Sequence, residues 1–355
     1  MKIFGIFLTL LTLPLLSLHA GEISVLLYQG KGPVDFGGYT YKVNNEIRRF
    51  NSVYCRDGQL FSDGIPLYSD VVDFESYETR VYFQGRHYRG KMRVITDFYL
   101  MTVINIIPME EYLKGVLPME VSPDWPLESL KAQAVAARTF ACKKIEETRD
   151  KSYNVDASHF SQVYGGVDVE RESTNKAVDD TQGMVITFNG DLITAFYHSA
   201  SGGKTATSDE VWSGTPLPYL KSITDPHSLE APHQTWVYYI NRDRLLKILK
   251  MDSLIEIKMS YSNSGRVASI RFFDSNGNDK TMTGNAFRLA IGSTHIRSTM
   301  FSSEISGTVI KFIGRGWGHG VGMSQWGAYA MASKGFTYDM ILTFYYSGVI
   351  LQKWY

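Results

Sequence analysis

The chain reads as an α+β protein: mixed short β-strands and a few helices around a groove, preceded by a small β-rich N-terminal region. Three observations predict this. Runs of β-branched and aromatic residues broken by Gly, Asp and Asn fill the N-terminal part of the chain and return between residues 186 and 212. One long stretch, 126–143, repeats its apolar residues at helical spacing. And of 355 residues 44% are hydrophobic and 20% charged, which is a globular composition and not a disordered one.

Met1-Lys2, an apolar run from Ile3 to Leu16 and a small residue at Ala20 have the form of a secretory signal. Pro14 interrupts the run, which is too short to span a bilayer as a helix. The expected arrangement is therefore 1–20 signal peptide, 21–93 β-rich region and 94–355 main domain, exported to the periplasm or cell envelope, with no membrane span once the leader is cut. Ile23–Tyr28, Thr40–Val43, Thr79–Phe83, Val94–Ile95 and Leu100–Asn105 read as strands. A helix is expected from Pro108 to Gly115, between a proline start and a glycine stop. The long helix follows, with Leu127, Leu130, Ala134, Ala137 and Ala141 on one face. Further on come a helix at 241–252, strands at 254–260 and 267–273 around an Asn263-Ser-Gly265 turn, a Ser324-capped helix and a last helix from Thr337.

Thirty-six Lys+Arg balance 36 Asp+Glu, so the chain lacks the basic footprint of a nucleic-acid binder. Two cysteines, Cys55 and Cys142, exclude a disulfide scaffold and a four-cysteine metal site. The glycine-dense loop Gly314–Gly322 fits neither the phosphate-loop nor the dinucleotide register, so nucleotide binding is not expected. Such a loop either lines a groove or permits tight turns.

Three segments are more specific: Glu111–Phe140, which contains Pro118-Met-Glu120; Phe196-Tyr-His-Ser-Ala-Ser-Gly-Gly-Lys-Thr205; and Gly316-Trp-Gly-His-Gly-Val-Gly-Met-Ser-Gln-Trp-Gly-Ala328. In these the chain resembles the SpoIID/LytB family of peptidoglycan-processing proteins, over roughly residues 88 to 350. The resemblance implies a lytic transglycosylase that cleaves peptide-free glycan strands to 1,6-anhydro-muramyl products, with Glu120 as general acid. Other members of that family are amidase modifiers, so a non-catalytic glycan binder or amidase enhancer is the alternative. An N-acetylmuramoyl-L-alanine amidase is the partner this implies. Some sporulation members hold zinc partly through a cysteine five residues after the histidine at position 198. Gly203 stands there, so no metal or other cofactor is expected, which also argues against a zinc amidase.

The residues agree with such chemistry. Glu120 sits among Leu117, Met119, Val121 and Trp125, in what reads as a turn between two helices, and apolar neighbours favour a protonated carboxyl. Arg138, among alanines, needs a carboxylate partner or reaches the cleft, where it would suit a lactyl carboxylate. Gln133 can bond sugar or backbone. The family pattern marks Gln162 and Tyr164 as substrate contacts; a core tyrosine is the other reading of Tyr164. His198 and Ser201 are read as substrate-orienting residues in preference to a nucleophilic pair. His319 is a cleft residue or a structural histidine. Ser324, Gln325 and Trp326 open a helix whose free N–H groups can meet an anion.

Overall fold

The structure is a computed structural model that describes residues 21–43, 46–76, 79–98, 100–158, 161–212, 214–232 and 234–355. The expected leader at 1–20 lies outside them.

The frame is a nine-stranded sheet. Its order across the sheet is 155–156, 22–30, 100–108, 91–97, 71–76, 34–43, 46–56, 59–62 and 65–66. All neighbours are antiparallel except Glu22–Gly30 with Val155–Asp156. The boundary drawn at residue 93 falls inside the strand Lys91–Asp97, and Glu22–Gly30 pairs along its length with Leu100–Pro108. The N-terminal strands are thus continuous with the sheet on which the next helices pack.

Those helices are α1 (Met109–Glu120) and α2 (Leu127–Glu147). Leu130, Ala134, Ala137 and Ala141, the face expected from spacing, are buried in the same core as Ile23, Val25, Val103 and Leu113. The opposite face of α2 is buried as well: Ala132, Val135 and Ala136 meet Ile186, Val321, Met323, Ile341 and Tyr345. A helix wrapped on both sides needs small residues for close approach, which explains its alanines.

Helix α1 runs past Gly115 to Glu120, with Pro118 in its last turn. Gly115 is a packing glycine and not a stop. A Cβ there would come within 2.6 Å of the Tyr164 ring and 2.9 Å of the Gly166 carbonyl. Glu120 therefore ends a helix instead of sitting in a free turn.

The remaining α-helices among the described residues are α3 (Glu172–Asp180), α4 (Ser208–Val211), α5 (Arg242–Leu249), α6 (Gly284–Ile291), α7 (Gln325–Ser333) and α8 (Tyr338–Tyr345). Residues 235–315 build a unit with its own core of Trp236, Leu245, Ile270, Phe272, Phe287 and Phe312. Two three-stranded sheets and the helices α5 and α6 enclose that core. The hairpin turn falls at Gly265, as expected. Cys55 and Cys142 are both free thiols. No helix among the described residues is long and apolar enough to cross a membrane.

Candidate active site

The glycine-dense loop is zipped onto the His198 segment. Tyr197 and His198 pair in parallel with Met323 and Ser324, and single bridges join Ala200 to Trp317 and Ala206 to Val321. So close an approach leaves no room for side chains. Gly322 has φ of 71°, and a Cβ on it would lie 2.0 Å from the Phe196 carbonyl oxygen.

Two histidines fasten this junction. His319 Nδ1 accepts the Val321 N–H at 3.1 Å, so its Nε2–H donates to the Tyr197 carbonyl at 3.0 Å. His198 Nδ1 donates to the Val321 carbonyl at 3.1 Å. Burial pushes the pKa of His319 down to about 3 and that of His198 well below its usual value, so both rings are neutral near pH 7. His198 Nε2 is buried and makes no hydrogen bond among the described residues.

Beside this junction opens a cleft of about 680 Å³. Its lining includes Glu120, Tyr197, His198, Trp212, Arg288, Trp317, His319 and Gln325. Glu120 thus shares one cavity with the histidine and glycine segments. It is half-buried, and its Oε1 accepts the Val163 N–H at 2.9 Å. Gln325 Nε2 donates to the Glu120 backbone carbonyl at 3.3 Å and to Gln133 Oε1 at 3.5 Å, tying the end of α1 to the start of α7. Burial raises the phenol pKa values of Tyr112 and Tyr197, so both stay protonated.

The SpoIID family, described as stage II sporulation protein, matches residues 100–188. The stage II sporulation protein D of Bacillus subtilis is 31% identical over 70% of this chain and 75% of its own. An uncharacterized protein of Brachyspira hyodysenteriae is 33% identical over 90% of this chain and 87% of its own. The amidase enhancer of Bacillus subtilis is 32% identical over 90% of this chain, which spans 50% of that protein's length. The chain belongs to the SpoIID family.

The family match covers α1, α2 and the segment that holds Glu120, but stops before His198. Several residues expected at the substrate lie elsewhere. Arg138 is fully buried and paired with Glu110, Nη2 to Oε2 at 2.6 Å and Nε to Oε1 at 3.0 Å, so it holds the fold and does not reach the cleft. Tyr164 is a core residue: it is 3% exposed, its hydroxyl donates to Asn105 Oδ1 at 2.9 Å, and its ring packs on Tyr112.

Gln162 is likewise buried. Its Nε2 donates to the Ala137 carbonyl and to the Tyr197 hydroxyl, and its Oε1 accepts from the Tyr112 hydroxyl. It is the chain neighbour of Val163, whose amide binds Glu120, and it is not among the described residues that line the cleft.

Ser201 donates to Asp225 Oδ2 at 2.8 Å and is fully buried, so neither a nucleophilic pair with His198 nor a sugar contact forms. Burial raises the Asp225 carboxyl pKa, against hydrogen bonds from Ser201, Ser228 and Tyr345. Gln133 lies behind Gln325 at 1% exposure. At the start of α7, Ser324 Oγ accepts the Gly327 N–H and the Ser199 carbonyl accepts the Trp326 N–H, so the Trp326 amide expected to meet an anion is bonded within the protein. The Trp326 ring instead packs against Trp125 at 4.8 Å and Tyr329 at 5.3 Å.

The residues at the expected zinc position do not fit a metal. Gly203 offers no donor, has φ of 103°, and a Cβ there would meet Leu229 at 2.9 Å. Among the described residues no three His, Cys, Asp or Glu side chains converge on a cation position.

Sequence reasoning missed Trp212, Trp317 and the α6 residues Asn285, Arg288 and Leu289, all of which line the cleft. Trp317 stands within the glycine-rich motif, where its neighbours were the only signal. The α6 residues carried no motif, and only packing brings them there.

Proposed function

We propose that this protein acts in the cell wall as a lytic transglycosylase on peptide-free glycan strands, with Glu120 as general acid. The observation that carries this reading is the placement of Glu120: a carboxyl held by a backbone amide, in a cleft with half-exposed indoles at Trp212 and Trp317. It is the one carboxylate among the described lining residues. Indole faces suit the apolar face of a pyranose.

One carboxyl is enough for this reaction. The Val163 amide holds Oε1 and so fixes the carboxyl in the cleft. Glu120 protonates the glycosidic oxygen as the C1–O bond breaks, leaving an oxocarbenium-like sugar. The 6-hydroxyl of the same sugar attacks C1, forming the anhydro bridge, and its proton returns to the Glu120 carboxylate. No water is consumed, so no second carboxylate is required to activate one. The histidines hold the cleft wall through their bonds to Val321 and Tyr197.

The test is incubation of the purified chain with peptide-free glycan and mass spectrometry for 1,6-anhydro-muramyl ends. Glu120→Gln is expected to stay folded, bind glycan and give no product. Equal product from both proteins would overturn the assignment.

A second reading has its own support: the relative named amidase enhancer matches 90% of this chain. On that reading the cleft binds glycan without cleaving it, and the chain stimulates an N-acetylmuramoyl-L-alanine amidase. Glycan binding without product, together with faster peptide release by an added amidase, would favour it.

A further inference from the structure

The unit at 235–315 closes one side of the cleft through α6, and from that helix comes Arg288, the one permanent cation among the described lining residues. Its Nε donates to the Arg297 carbonyl at 3.3 Å, which fixes the plane of the guanidinium. Burial lowers its pKa, and among the described residues no carboxylate charge offsets that loss of water. Arg138 on α2 shows the contrast: it is buried deeper, yet Glu110 meets its fork with two bonds. A guanidinium drawn from water without a counter-charge is costly unless an anion completes it.

The surroundings narrow the kind of anion. The Arg297 guanidinium lies over the Trp317 ring at 4.6 Å and adds positive potential to that wall. Trp317 is 38% exposed, and Asn285, Ser293 and Thr294 supply neutral polar groups beside it. An aromatic face, neutral hydrogen-bonding groups and a forked cation together suit a sugar that carries a carboxylate.

We infer that Arg288 is a specificity-determining residue that binds the lactyl carboxylate of muramic acid, so that the cleft prefers strands stripped of stem peptide. The inference rests on the glycan reading above. On an intact strand that lactyl carbonyl is an amide, which offers no charge for a two-pronged contact. Removal of the peptide by amide hydrolysis creates the carboxylate. An amidase reaction therefore supplies the ligand that Arg288 selects.

The experiment uses the full chain carrying Glu120→Gln, so that binding is read without turnover. Two tetrasaccharides are titrated by calorimetry: alternating GlcNAc–MurNAc with free lactyl carboxylates, and chitotetraose, which has none. The parent protein is expected to bind the carboxylated sugar roughly 10-fold or more tighter. Adding Arg288→Met removes that preference while chitotetraose affinity holds, and adding Arg288→Lys keeps part of it. Circular dichroism establishes that each variant is folded. A preference that survives in the folded Arg288→Met protein overturns this assignment alone. Failure of the parent to bind either sugar overturns the glycan reading together with it.

Discussion

Replacing Arg138 with Met tests whether this buried cation serves the fold or the ligand. The side chain is fully buried and makes five hydrogen bonds: two to Glu110, and one each to Thr181 Oγ1, the Met184 carbonyl and the Val178 carbonyl. Methionine keeps much of the apolar volume and removes all five. Among the described residues Glu110 then keeps the Gly183 N–H at 3.0 Å and the Tyr355 hydroxyl at 2.6 Å. Removing one member of a buried ion pair costs about 3–5 kcal/mol, because the other charge is stranded. At roughly 1.3 °C per kcal/mol for a chain of this length, the melting temperature should fall by about 4–7 °C. The double variant Arg138→Met/Glu110→Gln strands no charge and should recover about 0.5–3 kcal/mol relative to additivity. The assay is thermal unfolding by circular dichroism, paired with glycan titration at a temperature where each variant is folded. Unchanged melting with a tenfold loss of glycan affinity would refute the structural role and return Arg138 to the ligand.

Further outcomes follow from the same geometry. Gly322→Ala should lower stability by about 1–3 kcal/mol from its positive φ alone, and by more from the clash with the Phe196 carbonyl; soluble yield and melting temperature check this. Gln162→Leu should loosen the segment that holds Glu120 and cut kcat roughly 10–100-fold at nearly constant KM, whereas a change in KM alone would mark Gln162 as a sugar contact. The histidines predict an acid-sensitive fold. Their folded pKa values lie below the unfolded value of 6.5, so the unfolded chain takes up more protons as pH falls. Stability is complete above about 6.5 and declines below it, with a limiting slope of about 1.4 kcal/mol per pH unit for each histidine, down to about 3 for His319. Melting curves between pH 8 and 5 should show this decline, and His198→Asn should make it shallower; an unchanged slope would disprove the link.

The sequence by itself determined the α+β class, the long alanine-rich helix with its first buried face, the Ser324 cap and the family, together with Glu120 as the carboxyl to examine. These are local matters: period, capping chemistry and contiguous motifs are written in neighbouring residues. Tertiary structure decided which polar residues reach the cleft. Arg138, Gln162, Tyr164 and Ser201 have side chains as suited to sugar as to a buried network, and only partners such as Glu110, Asn105 and Asp225, distant in sequence, settle that they are internal. Packing alone also brought Arg288 to the Glu120 cleft, because α6 belongs to a unit with a separate core and no motif. A residue's chemistry is fixed by its type, but its exposure and counter-charge are set by contacts that the chain makes only once folded.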